Sequence, residues 1–221
     1  MSYPAHPTYS DFEQANRAYA PRLKAFLAAV SADRAGHARF LNTLSMLEHM
    51  GARRIAMTQT APALGQDTLK HMAEEARHAF FFKRQADHFA GTALDYGDAD
   101  MTAPAFARMY FRRLEGFIAA DVRHAAESRR MAYLYMSIIV EFRAVWAFAI
   151  YQSVLDARGI PLSLKSLLAE ERGHLADMRT ALEAMDAALS ERIIRFLKRE
   201  RALFARLLER FEGSLRAKAA A

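Results

Sequence analysis

Of the twenty residues Met131–Ile150, only Ser137, Glu141 and Arg143 are not apolar. The stretch approaches the length of a bilayer-spanning helix. Two charges near its centre, and the lack of a second stretch like it, argue instead for the central helix of a bundle, buried on every side. Glu141 is then the residue that constrains the fold. Its neighbours Ile138, Ile139, Val140, Phe142 and Val145 put the carboxylate in low dielectric, where an unpaired charge costs several kcal/mol. The group must therefore be protonated, ion-paired or bound to a metal. Arg143 is not the obvious partner, because residues i and i+2 point to opposite sides of a helix.

The rest of the chain reads as helical. Pro21, Pro62, Pro104 and Pro161 separate long stretches whose apolar residues recur every three or four positions, and alternating runs joined by Asn-Gly or Asp-Gly turns are missing. Ser10-Asp11-Phe12-Glu13 is a capping-box start, and Pro21 restarts or kinks that first region. Helices are expected over about 33–60 and 67–89, capped in the second case by Asp67, with a loop over 91–103. Thr102 and Pro104 open a helical region that reaches about residue 157 with a break. A turn at Arg158-Gly159-Ile160-Pro161, a cap at Ser163 and a last helix over about 191–218 complete the reading. The expected fold class is all-α. Residues 1–32 form an N-terminal helical extension, 33–189 the bundle, and 190–221 a basic C-terminal helix.

Charge and cysteine usage narrow the function. The chain of 221 residues carries 31 Lys+Arg against 25 Asp+Glu, a net of +6. Residues 190–221 hold nine basic and four acidic side chains, so +5 of the excess sits in that segment and +1 in the preceding 189 residues. Basicity is thus a question about one helix. In it Ile193, Ile194, Leu197, Phe204, Leu207, Leu208, Phe211 and Leu215 form an apolar stripe, expected to dock on the bundle or a second subunit, with most Arg and Lys elsewhere. RNA or an anionic membrane would use the basic face, but docking is the favoured reading. With no Cys, a disulfide scaffold, a thiolate-ligated zinc ribbon, an iron–sulfur cluster and a thiol nucleophile are excluded. Any metal must sit on His, carboxylate, backbone or water. The opening Met1–Pro7 lacks the basic and apolar regions of a signal peptide, and the expectation is a cytoplasmic protein.

A partner for Glu141 stands thirty residues on. Ala169-Glu170-Glu171-Arg172-Gly173-His174 puts Glu171 and His174 on one helical face, and Ala73-Glu74-Glu75-Ala76-Arg77-His78 spells the same pattern. Glu48 precedes Glu75 by 27 residues as Glu141 precedes Glu171 by 30; Gln59 and Gln152 each follow their single Glu by eleven, and Ala56 and Ala149 by eight. The chain reads as a duplicated helical hairpin, each half giving one Glu and one Glu-x-x-His. Two such hairpins back to back would focus four carboxylates and two imidazoles on one point, and four negative charges would balance two divalent ions. Such donors suit iron or manganese, and zinc also fits.

Some neighbours have competing readings. Glu74 and Glu170, four residues before the same His side chains, are read as solvated or as outer groups. His71, one turn before Glu75, is read as a packed or orienting group rather than a third nitrogen ligand. His49, about 100° round the helix from Glu48, faces elsewhere. Phe80, Phe81, Phe82, Tyr133, Tyr135, Trp146 and Tyr151 are read as core. Ion-paired carboxylates in a metal-free bundle are the bland alternative, which leaves the matching halves unexplained.

On Glu48, Glu75 with His78, Glu141, and Glu171 with His174, the chain resembles the ferritin-like di-iron carboxylate proteins over about residues 38–182. The resemblance implies a four-helix bundle with a long crossover and two iron ions held by those six residues, which act in catalysis through the metals. No haem or flavin is implied. It also implies O₂ activation, with three outcomes open. The favoured one is an oxidase or monooxygenase acting on a hydrophobic or tRNA-linked substrate. The others are a ferroxidase or iron-storage protein, and an interaction module built on the C-terminal helix. Ala52, Val145, Ile55, Phe148, Phe82 and Met178, one or two turns from the six residues, are read as core; an apolar lining also suits O₂ and a hydrophobic substrate. Without Cys there is no built-in rubredoxin-type centre, so electrons would come from a separate donor protein. A homodimer is compatible with the sequence.

Overall fold

The computed structural model describes residues 8–59 and 64–219, with side chains to 216. All regular structure among them is helical: α1 (Tyr9–Asn16), α2 (Ala20–Val30), α3 (Arg34–Thr58), α4 (Gln66–Ala90), α5 (Pro104–Val122), α6 (Ser128–Ala157), α7 (Lys165–Met185) and α8 (Leu189–Ala219), with short 3₁₀ turns at Arg17–Tyr19 and Asp98–Asp100. The chain divides into two compact units, one of residues 8–24 and 113–205, the other of residues 25–112 and 206–219. Pro62 and the segment Met1–Pro7 lie outside the described residues.

Helix ends follow local chemistry, with three corrections to the sequence reading. The first capping box belongs to Thr8 and Asp11, not to Ser10: Thr8 N–H donates to the Asp11 carboxylate at 2.7 Å and Asp11 N–H to the Thr8 hydroxyl at 3.3 Å. Helix α4 starts after Gly65, and Asp67 falls in its first turn, where its charge favours the helix dipole without capping it. Helix α7 starts after Leu164 rather than Ser163. Its Leu164 N–H donates to Gln152 Oε1 at 2.6 Å, so a side chain of α6 satisfies the group a local cap would have taken. Elsewhere the reading holds. Asp33 caps α3 by accepting from Gly36 N–H at 2.7 Å, Gly91 ends α4 at φ +74°, and Pro104 is the first residue of α5.

In the unit of residues 25–112 and 206–219, α3 packs along α4. A row of small polar side chains on α3 straps the following loop to this hairpin. Asn42 Nδ2 donates to the carbonyls of Asp95 (2.7 Å) and Asp100 (3.0 Å), the Thr43 hydroxyl meets Thr102, and Ser45 Oγ donates to Ala79 O at 2.7 Å and bonds the Tyr96 hydroxyl at 2.7 Å. Lys83 reaches Leu94 O and Asn42. Phe26, Phe40 and Phe211 close the apolar side of this unit.

In the other unit α6 packs along α7 and meets α1. No residue from Met131 to Gln152 is exposed. Helix α6 alone among the described residues is long and apolar enough to cross a membrane, and 67% of its most apolar window is buried, as befits a core helix. The partner of Arg143 is Glu200 on α8, at 2.8 Å through both Nε and Nη2, with Asn16 Oδ1 accepting at 2.7 Å. Phe12, Trp146 and Phe204 surround the guanidinium, the last at 3.7 Å from its ring centroid.

Helix α8 spends its apolar face on its own chain. Ile193, Phe196, Leu203, Phe204, Leu207, Leu208 and Phe211 are buried, while Ile194 is 58% exposed and leaves the stripe the sequence suggested. Adjacent residues are 100° apart, so Ile193 and Ile194 cannot share one narrow face. Several of its cations are also engaged: Arg192 with Asp186 and Asp121, Arg195 with Asp121, Arg199 over Phe117 and Arg210 over Phe106.

Candidate metal centre

Each unit brings one set of acidic and imidazole side chains together. On the α3–α4 hairpin, Glu48, Glu75 and His78 each offer a donor atom within 4.8 Å of the others. Glu75 and His78 are buried and Glu48 is partly so. The i,i+3 spacing puts Glu75 and His78 on one face of α4, and antiparallel packing brings Glu48 to their level.

Close approach here depends on Gly51, one turn beyond Glu48. A Cβ at that position would lie 2.7 Å from Glu75 Oε2, so only a glycine lets the carboxylate rest against α3 in this geometry. The other oxygen, Oε1, lies 3.3 Å from His71 Nε2, and His71 is buried. Glu75 thus presents one oxygen to the neighbouring helix and the other to an imidazole on its own.

On the α6–α7 hairpin, His174 Nδ1 lies 3.3 Å from Glu141 Oε1 and 3.1 Å from Glu171 Oε2. All three side chains are buried. The Gln152–Leu164 hydrogen bond ties the start of α7 to α6, and the packing of the two helices brings Glu171 and His174 to Glu141.

The donor chemistry fits a divalent ion. Two ligands about 2.1 Å from one ion are separated by about 3.0 Å at right angles and about 3.4 Å at the tetrahedral angle. The O–N separations of 3.1–3.3 Å fall between those limits. Two carboxylates and one imidazole per hairpin, with no thiolate, are the donors expected of iron, manganese or zinc. Buried Glu and His clusters that can bind metal are therefore present in the helical chain.

The flanking residues sort themselves by exposure. Glu74 lies 3.9 Å from Lys70 and 3.8 Å from Arg77, but its own side chain is only 12% exposed, which excludes the solvated reading and leaves that of an outer group. Glu170 is half-buried, and His49 is exposed, its ring 5.9 Å from that of Tyr96. Of the three consecutive phenylalanines, Phe82 is fully buried, Phe81 half-buried and Phe80 64% exposed, which corrects the core reading of Phe80. Three successive residues span about 200° of a helix, too wide for one buried face. Ala52, Ile55, Val145, Phe148, Phe82 and Met178 are all buried.

The phenols near this region hold their protons. Burial, then the charge of Glu13, pushes Tyr9 up to about 12 against the opposing pull of Arg172 and Arg143; Tyr9 stacks on Phe142, next to Glu141. Burial also raises Tyr151, and burial with the Asp186 hydrogen bond raises Tyr135.

His71 meets Glu75 where their shared helical face puts it, but the requirement for Gly51 escaped the sequence reading. It had a signal, since an unexplained glycine inside a helix costs about 1 kcal/mol against alanine. Comparison of the chain with known protein families, with characterised proteins and with solved structures gives no match.

Proposed function

We propose that the chain is a ferritin-like di-iron carboxylate protein that activates O₂ as an oxidase or monooxygenase on a hydrophobic or tRNA-linked substrate. The observation that carries the reading is the convergence of Glu, Glu and His on each of two hairpins whose sequences match. Glu48, Glu75 and His78 from one half and Glu141, Glu171 and His174 from the other would hold two iron ions. Either triad alone offers three protein ligands; the six together offer the charge and donor number for a pair of divalent ions. Manganese or zinc would fit the same donors.

Such a pair, when bound, supplies the reducing equivalents for O₂. The chain's own residues do the rest. The four carboxylates neutralise the ions, the two imidazoles stay neutral and donate nitrogen, and buried Ala52, Ile55, Val145, Phe148, Phe82 and Met178 support a dry surrounding in which an oxidant is protected from water. Electrons would arrive from a separate donor protein.

Metal analysis of anaerobically reconstituted full-length protein tests the reading. About two irons per chain are expected from the ligand set, with loss on Glu141→Ala or His174→Ala. Folded protein that takes up no metal refutes it. Aerobic addition of Fe²⁺ then separates the chemistries: O₂ consumption coupled to a co-purifying organic molecule supports the oxygenase, whereas accumulation of hundreds of ferric ions in a many-subunit shell would establish storage instead.

A further inference from the structure

The two halves differ at two positions that touch the same carboxylate. Three residues beyond the single Glu, one half has Gly51 and the other Ala144; four residues before the Glu of Glu-x-x-His, one half has His71 and the other Leu167. Helix α4 therefore reads His-x-x-x-Glu-x-x-His, with His71, Glu75 and His78 one turn apart along one face, while α7 carries a single imidazole. His71 Nε2 stands 3.3 Å from Glu75 Oε1, the same separation as between His174 Nδ1 and Glu141 Oε1. His71 is as buried as His174. The opposite oxygen of Glu75 is turned to Gly51, which leaves Oε1 and the His71 ring nitrogen side by side.

We infer that His71 is a third nitrogen ligand, bound to the same ion as Glu75 Oε1, and that the two metal positions are chemically unequal. The inference rests on the two-metal reading above. Imidazole in place of water or carboxylate at one position supplies a softer nitrogen donor there and raises affinity for the later first-row divalent ions. One position then fills before the other.

The probe is Co²⁺ alone, titrated into the metal-free full-length protein and followed by its visible absorption. Wild type should fill in two steps separated at least about tenfold in affinity, since removal of groups around a bound metal typically weakens it about 10–100-fold. His71→Leu, which makes α4 resemble α7, should weaken one step by at least that factor and leave the other unchanged. His71→Gln keeps a hydrogen-bond donor for Glu75 but is a poor ligand; it should behave like His71→Leu. Recovery of the wild-type titration by His71→Gln would overturn the inference in favour of a positioning role. An unchanged two-step titration in His71→Leu would also overturn it while leaving the two-metal reading intact. Wild type that folds yet binds no Co²⁺ would defeat both. Circular dichroism of each variant confirms that the helices are retained, and if His71→Leu fails to fold, the Gln variant carries the comparison.

Discussion

Replacing Gly51 by alanine sets two effects of opposite sign against each other, and the structure separates them. Alanine inside a helix is favoured over glycine by about 1 kcal/mol, so the metal-free protein should gain stability from the backbone. The new Cβ would begin 2.7 Å from Glu75 Oε2, whereas ordinary contact starts at 3.4 Å, so the carboxylate must retreat by about 0.7 Å. It sits at the end of a flexible side chain and can move, but His71 at 3.3 Å from the other oxygen limits the direction. The displacement exceeds the tolerance of about 0.2 Å on metal–ligand distances. Gly51→Ala should therefore leave urea unfolding of the metal-free protein unchanged or raise its stability by up to about 1 kcal/mol, and weaken anaerobic Fe²⁺ binding by at least about tenfold, or 1.4 kcal/mol. Calorimetric titration beside urea unfolding gives both numbers on one preparation. A variant that binds Fe²⁺ as tightly as wild type would refute the placement of Glu75 as a ligand. Loss of more than about 2 kcal/mol without metal would place the effect in packing instead.

Two further predictions concern the scaffold of the unit that holds α6 and α7. Arg143→Met should cost about 3–5 kcal/mol because it strands buried Glu200, whereas Arg143→Met with Glu200→Met should recover most of the loss; urea unfolding of the two singles and the double measures this. Burial alone would raise the Asp186 carboxyl, but hydrogen bonds from Tyr135, Ala188 N–H and Arg192 outweigh it and hold it below the usual range. Its stabilisation is thus full above the ordinary aspartate value and disappears as pH falls through the lower folded value. Asp186→Asn should be less stable at neutral pH and should show a smaller loss of stability than wild type on acidification, read by thermal unfolding between pH 7 and 2.

The residues that could be read from sequence are those whose relations lie within one helix or one hairpin. Glu75 with His78 and Glu171 with His174 share a face because three residues make nearly a turn, and the repeat locates Glu48 and Glu141 on the facing helices. Arg143 was harder: its partner Glu200 lies 57 residues away on an amphipathic helix whose pattern makes Glu200 look like any other charge. Helix starts slipped where two competent caps stood close together, Thr8 against Ser10, or where a distant side chain did the capping, as Gln152 does for Leu164. Phe80 and Ile194 were misplaced because apolar character was extended to neighbours that the helical rotation turns outward.

The Gln152–Leu164 bond also bears on how this hairpin tolerates change. A slide of α7 by one residue along α6 would move Glu171 by about 1.5 Å and rotate it by about 100°, so something must hold the two helices in step. Part of that task falls on an amide side chain seven residues upstream of Gly159, whose φ of +63° lies in the turn. The turn adds backbone bonds of its own, Gly159 N–H to Asp156 O at 3.2 Å and Ile160 N–H to Leu155 O at 3.0 Å, and Leu162 and Leu164 beyond it are buried. The two helices are therefore held at two levels, and a lengthened turn at residues 158–161 would give up these backbone bonds and leave Gln152 as the remaining hydrogen-bonded tie between the end of α6 and the start of α7.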